Sequence, residues 1–211
     1  MGILILAVVT LPLLTALFLK VANRFLNELL TNFITINAAL LSVAVSFFMF
    51  GYLLLDKFKP IKFELFEWYP SPQIIFEFYL DGLSGVMMIL ISGLSLVIQL
   101  FSTSYMSKDE KYTKYFEYFN FFVFSMLLLV LSGNFLVMFF GWELVGLSSY
   151  LLISFWYEKN SAAKAGNKAF ILNRIGDFGF LIGLMMILNY FETFNFVNIF
   201  ESVLILSLIH I

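Results

Sequence analysis

The chain has 211 residues, 62% of them hydrophobic and only 12% charged, with a mean hydropathy of +0.96. A water-facing surface needs about a quarter charged residues, so a water-soluble domain is excluded and the solvent for most side chains is lipid. A net charge of −2 lacks the basic footprint of a nucleic-acid binder, and with no cysteine and one histidine, His210, disulfides, thiolate zinc sites and iron–sulfur ligation are excluded.

A bilayer span needs about 20 mostly apolar residues. Six stretches meet that need: Ile3–Leu19, Phe33–Leu55, Leu83–Tyr105, Phe116–Leu131, Phe135–Tyr157 and Ala162–Asn189. The first has no basic leading region and no small-residue cleavage site, which predicts a retained helix. Asp81-Gly82 resembles a cap for the third, and Ser132-Gly133-Asn134 predicts a turn between the fourth and fifth. The sixth is long enough to span with some tilt. Beyond it, Phe194–Ile211 reads as an amphipathic tail with Glu201 and His210, either a surface helix or the start of another span. The expected fold is an all-α polytopic membrane protein, one membrane domain over residues 1–211. Its 28 Phe and 10 Tyr suit lipid-facing helices and interfacial belts.

One connection breaks the helical pattern. Pro60–Leu65 alternates polar and apolar residues, Tyr69-Pro70-Ser71-Pro72-Gln73 is a turn signal, and Ile74–Leu80 is a second extended run. This predicts a β-hairpin over residues 60–80 outside the membrane, with an irregular loop as the alternative. With the N-terminus outside, the inner loops hold Lys20, Arg24, Lys108, Lys111, Lys114, Lys159, Lys164 and Lys168, while the outer loops hold only Lys57, Lys59 and Lys62. The excess of inner cations supports that orientation, which puts the hairpin on the outer face.

A charge at the bilayer centre costs roughly 2.5–3.5 kcal/mol on insertion scales. Glu143, Arg174 and Asp177 all fall within predicted spans. Glu143, in Gly141-Trp142-Glu143-Leu144-Val145-Gly146, is eight residues into the fifth helix, about 12 Å deep. Burial raises a carboxyl pKa and a nearby cation lowers it again, so an acid beside a movable cation suits a proton relay. A permanently protonated glutamate bonded to a backbone carbonyl is the structural alternative. Arg174 and Asp177, three residues apart, share a helix face with Asn167, and their spacing fits an ion pair that is structural or functional. Lys164 is placed to snorkel to the interface, and Lys168 is deeper. Gly176, Gly179 and Gly183 form a small-residue edge that permits close helix approach. Gly82-Leu83-Ser84-Gly85 lacks the spacing of a nucleophile elbow, and no phosphate loop or dinucleotide fingerprint is present.

The run from Phe140 to Ile153, with Gly141-Trp142-Glu143 at its start, resembles subunit 5 of NADH:ubiquinone oxidoreductase, respiratory complex I. So do Asn167–Gly179, Phe78–Ser84 and Tyr105-Met106. Subunits of multisubunit Na⁺/H⁺ antiporters share the pattern. The resemblance implies the N-terminal part of a proton-translocating, antiporter-like subunit of the membrane arm, in which Glu143 matches a relay glutamate. Lys168, Arg174 and Asp177 match the sixth-helix motif of the charged axis. It implies no cofactor in this chain, with NAD, FMN, iron–sulfur clusters and ubiquinone elsewhere in the complex. A purely structural membrane-arm fragment is a further alternative.

In the family the glutamate pairs with a lysine of the seventh helix, which would lie beyond Ile211. The subunit is then either encoded in pieces or has lost its remainder; the expectation is a split subunit completed by a second chain, next to an adjacent antiporter-like subunit and other complex I subunits, in contact with lipid and no nucleic acid. Richness in Phe, Ile, Asn, Tyr and Lys, with no targeting peptide, points to an organelle-made chain of the mitochondrial inner membrane, the bacterial plasma membrane being the alternative.

Overall fold

Within lipid, backbone polar groups must be satisfied inside the protein, which favours helices as spanning elements. The computed structural model describes residues 1–70 and 73–209. Its elements are α1 (Gly2–Ala22), α2 (Glu28–Leu55), β1 (Ile61–Pro70), β2 (Gln73–Leu80), α3 (Gly82–Tyr105), α4 (Tyr112–Val130), α5 (Phe135–Ile153), α6 (Asn160–Phe191) and α7 (Phe196–Ile209). All six expected spans are helical. Five of them, α1, α2, α3, α5 and α6, are long and apolar enough to cross a membrane. The exception, α4, has 19 residues with Lys114 and Glu117 in its first two turns. It lies against α1, α2, α3 and α5 and buries nine side chains, so neighbouring helices shield it from lipid.

Burial inverts the usual polarity between α2 and α3. The buried positions of α2 include Thr31, Thr35, Ala39, Ser42 and Ser46, and those of α3 include Ser92, Ser95, Gln99 and Ser102. Phe33, Leu41, Phe47, Leu94, Val97 and Phe101 face outward. Hydrocarbon outside removes the drive to hide large apolar side chains, and small ones let helices approach closely. The hydroxyls bond to their own helix: Ser46 Oγ donates to the Ser42 carbonyl at 2.7 Å and Ser95 Oγ to that of Ser92 at 2.7 Å. A conventional apolar core forms toward the hairpin end, around Ile5, Leu53, Leu80, Met88, Leu127 and Leu131.

Helix ends depart from the hydropathy boundaries where capping decides them. α2 starts five residues earlier than expected, because the Asn27 side chain accepts from the Leu30 N–H at 2.9 Å and Glu28 sits in the first turn. Asp81 and Ser84 cap α3 reciprocally. α5 stops at Ile153, short of the expected Tyr157, and the Ser154 hydroxyl donates to the Tyr150 carbonyl at 2.6 Å. α6 ends as Glu192 takes a left-handed conformation (φ 55°). The tail is helical from Phe196 to Ile209, and His210 lies outside the described residues.

The hairpin is longer than the alternation predicts: Tyr69, Pro70 and Gln73, expected in the turn, belong to the strands, which pair antiparallel with irregularities at Glu64/Phe66 and Glu67/Tyr69. The expected turn residues Ser71 and Pro72 lie outside the described residues. Two strands alone are marginal, and this pair is anchored on the bundle. Tyr79 N–H donates to the Leu131 carbonyl, and Gly133 N–H to that of Glu77. Buried Glu77 receives the Asn195 amide at 2.5 Å and lies 2.9 Å from Lys62 Nζ, joining the hairpin to the α6–α7 connection. Burial works against the Lys62 ammonium, but Glu77 and Glu64 outweigh it and raise its pKa above the usual lysine value.

Candidate functional site

The site forms where α5 meets α6. At the start of α5, Asn134 caps the helix by accepting from the Val137 N–H at 2.8 Å, and its amide donates to the Ile75 carbonyl at 2.7 Å. Two turns on, Gly141 lies so close to α4 that a Cβ would come within 2.6 Å of the Leu129 backbone. Only glycine permits that approach. Gly166 has the same role between α6 and Ser154, where a Cβ would come within 2.8 Å of the serine side chain. The expected edge of Gly176, Gly179 and Gly183 is different, since a Cβ at each meets nothing within 4 Å among the described residues.

With α5 seated against α4, Trp142 and Glu143 reach α6. The Glu143 carboxylate accepts a hydrogen bond from Arg174 Nη1, and the same nitrogen lies 3.8 Å from Asp177 Oδ2. The Trp142 indole N–H donates to Asp177 Oδ1 at 2.9 Å. Its ring stacks on Phe180, with centroids 6.1 Å apart. The guanidinium lies 5.2 Å over the Phe170 ring, a cation–π arrangement. The Asp177 side chain is 8% exposed, Glu143 21% and Arg174 55%. Two carboxylates thus share one guanidinium. With both ionised, the three groups carry a net charge of −1, which hydrocarbon penalises unless a proton or another cation completes it.

Three of the four sequence-predicted residues meet here. Sequence spacing joined Arg174 to Asp177; the fold adds Glu143 as its hydrogen-bond partner, 31 residues away. Lys168 is exposed and, among the described residues, forms no ion pair; six residues from Arg174, it points from another side of α6. Trp142 was not anticipated as a contributor. An indole at membrane depth needs an acceptor, and that is the signal its position carried. Among the described residues no cluster of three metal-ligating side chains occurs.

Residues 132–209 match the family described as NADH:quinone oxidoreductase/Mrp antiporter, TM, and residues 68–116 match NADH-ubiquinone oxidoreductase (complex I), chain 5 N-terminus. The chain belongs to this antiporter-like subunit family, as its N-terminal portion. NADH-quinone oxidoreductase subunit L of Rickettsia bellii is 36% identical over 195 residues, which is 92% of this chain and 30% of that protein. NADH-ubiquinone oxidoreductase chain 5 of Acanthamoeba castellanii is 37% identical over 194 residues, 91% of this chain and 28% of the relative. The chain therefore spans less than a third of the length of these relatives. A solved structure of the membrane-bound sulfane sulfur reductase, an archaeal respiratory membrane complex, superposes with a TM-score of 0.81 at 22% identity, covering 92% of this chain and 39% of that one. That likeness concerns the fold.

Proposed function

We propose that this antiporter-like portion carries a proton-loading site of a complex I membrane arm, with Glu143 as the group that takes up and releases the proton. One observation carries the reading: Glu143 and Asp177 share Arg174, so movement of one guanidinium changes the proton affinity of two acids. A carboxyl paired with a cation releases its proton, and one parted from it takes a proton up. Moving a charge through the membrane potential is worth about 2.3 kcal/mol per 100 mV, a swing that gaining or losing an ion-pair partner at low dielectric supplies. Arg174 and Asp177 act as the switch, and Lys168 continues the charged axis from the inner half of α6.

In this reading the chain contributes to an NADH:quinone reductase without doing redox chemistry, and NAD, FMN, iron–sulfur clusters and quinone belong to other subunits. Its partners are other complex I subunits and lipid, together with the segments that continue the fold in the longer relatives, whether in the same chain or another. The mitochondrial inner membrane suits the Phe-, Ile-, Asn-, Tyr- and Lys-rich composition and the similarity to an Acanthamoeba protein.

The test is Glu143→Gln in the assembled complex, which keeps shape and hydrogen bonding but removes the titrating group. NADH-driven acidification in sealed vesicles is expected to fall to about a tenth or less, at unchanged complex abundance. Normal pumping at normal abundance sinks the relay and leaves Glu143 a structural partner of Arg174.

A further inference from the structure

At the end of the bundle opposite the hairpin, α1 and α4 enclose a groove that the ion pair does not touch. On α1, Leu13, Ala16, Leu17 and Lys20 follow one another at steps of three and four residues. On α4, Lys114, Glu117, Tyr118 and Phe121 do the same, so each set occupies one helix face. Leu19 clusters with Tyr112 and Phe116, while Ile5 and Val8 cluster with Leu127 and Leu131, so the two helices run antiparallel. Lys20 and Lys114 therefore stand at one level, with Leu13 and Phe121 about 10 Å nearer the middle of the bundle. Between the two faces lies a cavity of about 590 Å³, bounded also by Leu151 of α5. That is within the usual size of a ligand site, about 300–1,000 Å³.

The cavity is charged at one end and apolar at the other. At the charged end, none of Lys20, Lys114 and Glu117 forms an ion pair among the described residues. Lys114 Nζ rests instead 5.6 Å over the Tyr118 ring. Side chains on a helix lean toward its N-terminus. On antiparallel helices this tilts Lys20 into the groove and brings the Glu117 carboxylate up toward the charged end. A charged rim above a strip of Leu13, Leu17 and Phe121 has the polarity profile of a phospholipid, headgroup at the rim and chain below. Two ammoniums suit a phosphodiester, and Glu117 decides which lipid. A phosphatidylglycerol or cardiolipin headgroup brings only negative charge and sets it against the carboxylate. Phosphatidylethanolamine brings a primary ammonium of its own, whose N–H groups a carboxylate accepts.

We propose that the groove between α1 and α4 binds one phosphatidylethanolamine molecule. Lys20 and Lys114 donate to its phosphate, Glu117 accepts from its ammonium, and one acyl chain lies along Leu13, Leu17 and Phe121. The lipid then ties α1 to α4, the helix against which Gly141 seats α5. The site does not depend on the proton-loading role of Glu143, which Glu143→Gln tests by itself.

The assembled complex is reconstituted in nanodiscs of phosphatidylcholine, whose quaternary ammonium has no N–H to give Glu117. A small fraction of either phosphatidylethanolamine or phosphatidylglycerol is added, each with a diazirine in one acyl chain. After photolysis the labelled residues are read by mass on this chain. The phosphatidylethanolamine probe is expected to label the 13–17 and 118–121 segments about tenfold more than the phosphatidylglycerol probe, the worth of one charge-assisted hydrogen bond. Lys20→Gln should lower that labelling about tenfold by the same reasoning, while Lys20→Arg keeps the cation and should retain it. Glu117→Gln should bring the two probes to within about twofold of each other, because the phosphate contacts remain and the ammonium contact is lost. Labels absent from both segments overturn the site. Equal labelling by the two probes in the unaltered complex overturns the choice of lipid. Labelling unchanged in Lys20→Gln overturns the phosphate contact, and a preference that survives Glu117→Gln overturns the ammonium contact.

Discussion

Glu77 at the hairpin and Glu143 within α5 are both carboxylates facing one cation, and their surroundings divide them. Glu77 is 1% exposed, holds the Asn195 amide and Lys62, and sits on a backbone whose carbonyl accepts from Gly133. Lys62 is held a second time by Glu64 at 3.3 Å. Moving Glu77 would detach the hairpin, the α4–α5 turn and the α6–α7 connection together. Glu143 is held by Arg174, a long side chain that is more than half exposed and has Asp177 as another acceptor. A charge anchored from three segments fixes structure; a charge with one shared, movable partner can switch.

The largest expected effect separates the two acids. Glu77→Gln should lower the amount of assembled complex while leaving pumping per complex unchanged, the reverse of the outcome expected for Glu143→Gln, where pumping falls about tenfold or more. Complex abundance on native gels and acidification per complex give both readouts. A Glu77→Gln complex that assembles normally but pumps poorly would erase the distinction.

Next comes the seat of α5. Gly141→Ala forces a methyl into the Leu129 backbone and should cost about 1–3 kcal/mol, as overpacking does. Gly176→Ala meets open space and should fall between neutral and a gain of about 1 kcal/mol from helix propensity. Thermal unfolding of the detergent-solubilised complex compares them, and equal effects would show that α5 is not positioned by α4.

A smaller change is expected from Trp142→Phe, which keeps an aromatic ring against Phe180 but deletes the N–H donor to Asp177. The expected loss is about 1–2 kcal/mol. Asp177 is then freer to draw Arg174 from Glu143, so pumping per complex should fall, by less than in Glu143→Gln. Unchanged pumping per complex would show that the indole does not set the division of Arg174.

The smallest effect concerns the anchored acid. Lys62 has a raised folded-state pKa, so its contribution is fully present below the ordinary lysine value of 10.5 and is lost as pH rises through the higher folded value. Tyr79, whose phenol is raised by burial and then by Asp81, acts with the same sign from about 10 upward. Hydrogen exchange of the β1 and β2 amides should therefore accelerate above about pH 10, and less steeply in Lys62→Met. A hairpin whose exchange shows no such alkaline step would mean that the Glu77 cluster does not hold it.

Much of this was legible in the chain. Long apolar runs located six helices, the period-two stretch at Pro60–Leu65 located the hairpin, and the three mid-span charges marked the candidate site. Capping moved the boundaries: hydropathy does not register Asn27, whose side chain starts α2 early, nor the Ser154 turn that stops α5. The glycine edge of α6 permits a contact that is not made among the described residues, while the close approaches fell at Gly141 and Gly166. Identical glycines differ in role only through what lies opposite, which spacing along one helix does not contain.

The sequence by itself determined the solvent, the spans and the identity of the costly residues, because lipid penalises polar groups one residue at a time and local composition is enough to read that. Which charges meet was decided by tertiary structure. Glu143 reaches Arg174 across 31 residues, Trp142 reaches Asp177 across 35, and Glu77 reaches Asn195 across 118. Helical periodicity fixes the face on which a side chain lies, whereas its partner depends on how close two helices come, and at the site that closeness comes from Gly141 and Gly166 packing against Leu129 and Ser154.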